Sequence, residues 1–192
     1  MNIVSFPHPT LKFESKPLKR VDAKLHRVVE QMFELMYDSK GIGLAANQVD
    51  LPFRLFVVDP TAEPNSGEAQ VFINPMISRP RGSDEADEGC LSLPGLYAPV
   101  IRPSKVHIQA YNLSGELFDC DVEGLYGRVI QHETDHLAGV LFIDRLSESN
   151  RIEIASALEE FELDYRSRRQ QGEIPSDEAI AAERLHWEKE YC

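Results

Sequence analysis

The sequence predicts a mixed fold of α-helices and β-strands in one domain with a helical extension, and three observations carry that expectation. First, residues 22–39 place Leu25, Val28, Val29, Met32, Phe33, Leu35 and Met36 at the 3.6-residue period of an amphipathic helix. Second, the alternation in "KVHIQAYNL" (105–113), the turn "SGE" and a further run at 117–123 read as an antiparallel hairpin. Third, the character changes after residue 147: residues 147–192 hold 12 acidic and 6 basic side chains around two helical patterns. The whole length of 192 residues suits one domain with a real core.

Taken in order, Asp22 is placed to cap the first helix, and the Gly-rich "GIGLAANQ" (41–48) stops it. "FRLFVVD" (53–59) is a short β-rich run, and "TAEPNSGEA" (61–69) is a turn-forming loop. "VFINPMI" (71–77) is a strand candidate that Pro75 should interrupt, because proline cannot donate to a sheet ladder. "SRPRGSDEADEGC" (78–90) reads as irregular and acidic. A second long helix is expected from about Gly124 to a stop at Gly139. In the tail, Ile154, Leu158, Phe161 and Tyr165 mark one helix face, "QGEIPSDEA" breaks it, and Ser176 opens the last helix. Its surplus of acid suggests a solvated appendage.

Composition excludes several classes. The net charge is −12 and no Lys/Arg cluster could track a phosphate backbone, so direct nucleic-acid binding is not expected. No apolar run approaches the roughly 18 residues of a membrane span. The opening "MNIVSFPHPTLKF" has neither a signal-peptide core nor a transit-peptide pattern. Cys90, Cys120 and Cys192 make no disulfide framework, so a cytoplasmic setting is expected.

The segment with chemical content is "QHETDH" (131–136). On a helix, His132 and His136 share one face a turn apart, the spacing that lets two imidazoles reach one metal, with Glu133 at hand for a proton. Two ligands leave a metal short. Downstream there is no metzincin-type histidine, and His186 and the tail glutamates lie in a weakly determined segment. Cys90, in "EGCLSLP", is the better third ligand, since a thiolate in an acidic loop gains nothing unless a cation binds it. Cys90, His132 and His136 would leave one open position, the mark of a catalytic rather than a structural site.

Three segments together resemble the motifs of the peptide deformylases: "GIGLAANQ" (41–48), "EGCLS" (88–92) and "QHETDHL" (131–137), in that family's order. "GVLFIDRL" (139–146) and "IVSFPHPTL" are also similar, so the resemblance covers about residues 3–146. It implies an α+β fold with mostly antiparallel sheets around a central HExxH helix, here residues 1–146, with 147–192 as an acidic helical C-terminal extension. It implies removal of the N-formyl group from the N-terminal methionine of newly made proteins. Cys90, His132 and His136 would hold the metal and Glu133 would be the acid/base. Iron(II) is the metal the family implies in the cell. The donor set alone suits zinc, and nickel or cobalt are further divalent candidates.

The same resemblance assigns the Gln48 side chain and the Leu91 backbone N–H to the oxyanion, each donor typically worth about 3 kcal/mol in a transition state. Gly41 and Gly43 lack a Cβ, so a peptide backbone can approach and pair with Ile42 and Gly43. Leu125 and Val129, on the face before His132, are candidates for the methionine pocket. Glu88 and Arg102 are expected to form an ion bridge bracing the cysteine loop, with Gln131 in that network; Asp135 has no evident task. Tyr97 stands where family members often carry arginine. It offers one hydrogen bond and a ring but no fixed charge, so altered substrate range is expected.

The partners implied are N-formylmethionyl peptides and nascent chains, with a transient ribosome association compatible with them and no membrane. The competing readings are an HExxH metallopeptidase and a non-catalytic nascent-chain binder. The first is disfavoured by the cysteine-bearing motif, and the second by retention of every ligand and of Glu133.

Overall fold

The computed structural model describes residues 1–64 and 68–192. The loop expected at 61–69 falls partly on residues 65–67, outside the described residues. Helix α1 (Ala23–Asp38) begins where the Asp22 carboxylate accepts from the backbone N–H groups of Lys24 and Leu25. Its buried face is Leu25, Val28, Val29, Met32 and Met36, the stripe expected from the sequence. Strands β1 (Gly43–Ala45), β2 (Leu55–Val58) and β3 (Gln70–Arg81) follow, then β4 (Asp84–Cys90), β5 (Leu93–Arg102), β6 (Lys105–Tyr111) and β7 (Leu117–Glu123).

Five strands form one antiparallel sheet in the order β1-β2-β3-β6-β7, and β4 and β5 form a separate antiparallel ribbon. Strand β2 is buried throughout because both of its faces are covered. Leu55 and Val57 join the α1 core, while Phe56 and Val58 join the core beneath α2 (Gly124–Leu137). Alternation on one strand thus places α1 and α2 on opposite faces of the sheet.

Three expectations need correction. Pro75 does not end its strand: β3 runs on through a register shift between Ile73 and Met76. Asn74 takes a positive φ there, and its side-chain amide both donates to and accepts from the Leu18 backbone at 2.8 Å. A bulge is how an internal strand accommodates proline. The acidic 78–90 segment is not irregular: residues 78–81 complete β3, and 84–90 form strand β4, paired from Asp84↔Arg102 to Gly89↔Tyr97. Asp84, Glu85 and Asp87 face solvent and Glu88 turns inward, while the ladder and the buried Leu96, Ala98 and Val100 of β5 hold the ribbon. Gly43–Ala45, read as part of a turn, is edge strand β1.

The tail comprises α3 (Glu148–Glu153), α4 (Ala155–Gln170) and α5 (Asp177–Tyr191), with Ser176 capping the last. It is more than a solvated appendage. Ile154, Leu158 and Phe161 pack with Leu93, Leu96 and Phe142. On α5, Trp187 and Tyr191 meet Phe53 edge-on at 5.7 and 5.3 Å, and Lys24 Nζ sits 4.2 Å from the Trp187 ring centre. These anchors are few and large, so they left no continuous apolar stripe for the sequence to reveal. Among the described residues, no helix is long and apolar enough to cross a membrane.

Candidate metal centre and active-site cavity

Helix α2 presents His132 and His136 one turn apart, and their Nε2 atoms lie 3.2 Å from each other. Cys90, at the end of β4, brings Sγ to 3.2 Å from His136 Nε2. The ligand atoms of all three side chains fall within 4.8 Å of one another. His186, by contrast, lies on α5 beside Glu190.

Two tests bear on whether a metal ion fits. His132 Nδ1 is 3.0 Å from Glu88 Oε2, so a proton on Nδ1 leaves the Nε2 lone pair facing Cys90 and His136. Burial, together with the positive charge of His132, holds His136 well below its ordinary value, so its imidazole is neutral. Burial alone would lower His132, yet hydrogen bonds to Cys90 and Glu88 outweigh it and raise the ring to about 10. The cluster thus favours a positive charge among Cys90, His132 and His136, held as a proton on His132 that a divalent cation would displace on binding.

Glu133 is buried beside this centre, with Oε2 unpaired among the described residues, and burial pushes its carboxyl up to about 7. Gly43 on β1 comes so near that a Cβ there would stand 2.5 Å from Glu133 Oε1 and 2.9 Å from Val129 Cγ1. Gln48 is also buried. Its Oε1 accepts from the Ala45 N–H at 2.9 Å, which aims Nε2 at Cys90 Sγ (3.4 Å) and Ser92 Oγ (3.2 Å).

Gly43, Gln48, Cys90, His132 and Glu133 line a cavity of ≈ 540 Å³, together with Ile42, Leu91, Leu125 and Tyr97. Val129 is buried in its wall, whereas Leu125 is 59% and Tyr97 68% exposed. The Tyr97 ring lies over Gly89, where a Cβ would come within 2.5 Å of it.

Glu88 and Arg102 form the expected bridge, bidentate at 2.5 and 2.8 Å. Burial would push Glu88 up, but the hydrogen bonds from Arg102 and His132 outweigh it and hold the carboxyl well below the usual range. Gln131 departs from expectation: its amide donates to the carbonyls of Pro103 and Gly127, both at 3.0 Å, instead of reaching Glu88.

Other residues of the network escaped the sequence reading. Arg128 donates to Glu88 Oε1 at 2.7 Å, and Asp135 accepts from Arg102 at 2.7 Å while pairing with Arg145. Asn47 donates to the His136 carbonyl at 2.5 Å. Arg128 had a usable signal, since 128, 132 and 136 repeat every four residues along one helix face.

The family model for polypeptide deformylase matches residues 1–152. The chain belongs to the polypeptide deformylase family. It is 47% identical over 191 residues to a peptide deformylase of Rhodopirellula baltica, covering 100% of this chain and 95% of that one. Likeness to that relative therefore continues through the tail helices. A peptide deformylase of Neisseria gonorrhoeae is 42% identical over 82% of this chain and 93% of its own length. In structure, the chain is similar to peptide deformylase 1B of Arabidopsis thaliana crystallised with an inhibitor. The TM-score is 0.83 at 40% identity, over 92% of this chain and 97% of that one. Family membership fits an α+β metallohydrolase with antiparallel sheets and C-terminal helices, and it lends no support to the metallopeptidase or the non-catalytic binder.

Proposed function

We propose that this enzyme removes the N-formyl group from the N-terminal methionine of newly synthesised proteins, releasing formate, with one divalent metal held by Cys90, His132 and His136. The observation that carries the reading is the convergence of those three ligand atoms beside buried Glu133, where Cys90, His132 and Glu133 line one cavity. When bound, the metal supplies Lewis acidity for the formyl carbonyl and brings the pKa of water toward neutrality.

Glu133 is the acid/base, taking a proton from the attacking water and returning it to the leaving amine. Gln48 Nε2 and the Leu91 N–H are the donors for the oxygen that gains charge. The substrate backbone pairs with Ile42 and Gly43 as an added strand. The reading draws on β1 being the sheet's edge and on Gly43 carrying no side chain to block approach. Val129 and Leu125 receive the methionine side chain, and Tyr97 meets the peptide beyond it. Glu88 and Arg102 fix the His132 tautomer and the cysteine loop, while Gln131 steadies the turn at Pro103.

In this reading α2 is the central helix, residues 1–146 are the catalytic body and 147–192 an acidic helical extension. Iron(II) is the metal in the cell; zinc, nickel and cobalt suit the same donors. The enzyme acts in a bacterial-type cytoplasm on nascent chains. The charge of −12 favours a transient ribosome encounter through protein rather than RNA.

The test is formate release from formyl-Met-Ala-Ser by anaerobically prepared, metal-loaded protein beside Glu133→Ala. Release that vanishes in the variant while metal content is retained is the expected result. A fully loaded wild-type protein that releases no formate would overturn the reading.

A further inference from the structure

A second cleft adjoins the active-site cavity. The two share Pro94 and Gly95, which stand exposed between them at the start of β5. Gly95 has a positive φ, and a Cβ there would meet nothing, so this ridge carries no side chain at its crest. The second cleft has a volume of ≈ 370 Å³. Its apolar wall is Leu96 from β5 with Ala157 and Phe161 from α4, and its acidic side is Glu160 and Asp164.

Residues 157, 160, 161 and 164 follow the i, i+3, i+4, i+7 spacing, so one face of α4 builds the wall. Asp164 has Arg168 at 3.9 Å, a distant and exposed pair, and Glu160 has no ion pair among the described residues. Among the described residues no basic side chain lines this cleft, whereas Lys40 and Arg128 line the first.

We propose that the cleft between β5 and α4 is a downstream peptide subsite. A substrate leaving the active-site cavity over Pro94 and Gly95 lays its next residues against Leu96 and Phe161, and a lysine or arginine there faces Glu160 and Asp164. The proposal rests on the deformylase reading and gives the C-terminal extension a substrate-binding task. Continuity with the active-site cavity identifies the occupant as the same formylated chain, and the unmatched acid identifies its charge. A cationic side chain also suits the cleft chemically, because its apolar stem can lie on the wall while its charged end reaches the rim.

The experiment compares kcat/KM for formyl-Met-Ala-Ser with hexapeptides that extend it, carrying Lys or Glu at each of positions four to six. The expected result is a preference for Lys over Glu of about fivefold at one or two positions, the scale of exposed charge pairs. The preference should fall toward unity in 0.5 M salt, where the Debye length is only about 4 Å. It should also collapse in Glu160→Gln/Asp164→Asn and invert in Glu160→Lys/Asp164→Lys, with formyl-Met-Ala-Ser as the reference in each protein. Equal rates for Lys and Glu peptides in the wild type overturn the subsite. So does a uniform loss across all peptides in the variants, which would mark a structural role. Absence of formate from the tripeptide itself sinks the deformylase reading, and the subsite with it.

Discussion

Gly43 is held to glycine by what stands opposite. A methyl group there would meet Glu133 Oε1 at 2.5 Å and Val129 Cγ1 at 2.9 Å, so Gly43→Ala must displace one or the other. Val129 is packed in the core beneath α2, whereas one Glu133 oxygen is unpaired among the described residues; the carboxylate is therefore what moves. Misplacing a reacting group by about 1 Å can cost on the order of 10²-fold. We expect Gly43→Ala to lower kcat for formate release by about that factor, with metal content unchanged. Its melting temperature should fall by only a few degrees, in the range of mild overpacking at about 1–3 kcal/mol. Metal analysis, a thermal melt and a formate assay on one preparation check this, and an unchanged kcat would show that the contact is harmless. The residue scale is also where the sequence was most informative about the site. Cys90, His132, Glu133 and Gln48 were legible because each sits in a motif. The tasks of Asp135 and Arg145 were not, and for Arg128 only its place on the His132 face was, because the partners are brought together by the fold, Arg128 meeting Glu88 across 40 positions and Asp135 meeting Arg102 across 33.

Among the elements, α5 carries the clearest consequence. Tyr191 is 2% exposed, packs on Phe53, and donates its hydroxyl to Asp22 Oδ1, the same carboxylate that caps α1. One side chain thus ties the end of the chain to the start of its first helix. Tyr191→Ala should destabilise the protein by about 3–5 kcal/mol, the usual range for truncating a large buried aromatic. Tyr191→Phe should cost about 1 kcal/mol for the single hydrogen bond. Neither touches the cavity lining, so kcat below the melting transition should match the wild type; urea titrations beside formate assays test both halves. The elements were legible where a period or a cap marked them. Helix α1 carried both, and the β6–β7 hairpin carried alternation and a turn. Strand β4 was hidden by its acid content, since a ribbon open to solvent needs no apolar alternation on both strands. Strand β1 has three residues, too few to show a period at all. Docking of α5 depends on Trp187 and Tyr191, four positions apart on a helix that is otherwise mostly polar, a signal that only its partners on the body make meaningful.

For the molecule as a whole, the charge pattern sets a direction for stability at high pH. Burial pushes the phenols of Tyr37, Tyr126 and Tyr191 up to about 12, helped in Tyr37 and Tyr191 by hydrogen bonds to Asp59 and Asp22. An unfolded tyrosine titrates near 10. Between about pH 10 and 12 the unfolded chain has therefore lost these protons while the native protein still holds them, so unfolding releases protons and stability falls as pH rises. Below pH 10 both states keep the protons and the contribution is fully present. The net charge of −12 acts in the same sense, because each added negative charge increases repulsion within the compact state. The urea midpoint followed by circular dichroism should be nearly level from pH 8 to 9.5 and then decline steadily to pH 12. Tyr37→Phe supplies the control, since it removes one of the three titrating groups together with its bond to Asp59. Its midpoint should start lower at pH 8 and decline less steeply, so that the two curves converge toward pH 12. Parallel curves would mean that repulsion alone governs the decline, and a wild-type midpoint that stays flat to pH 12 would remove the tyrosines from the account entirely.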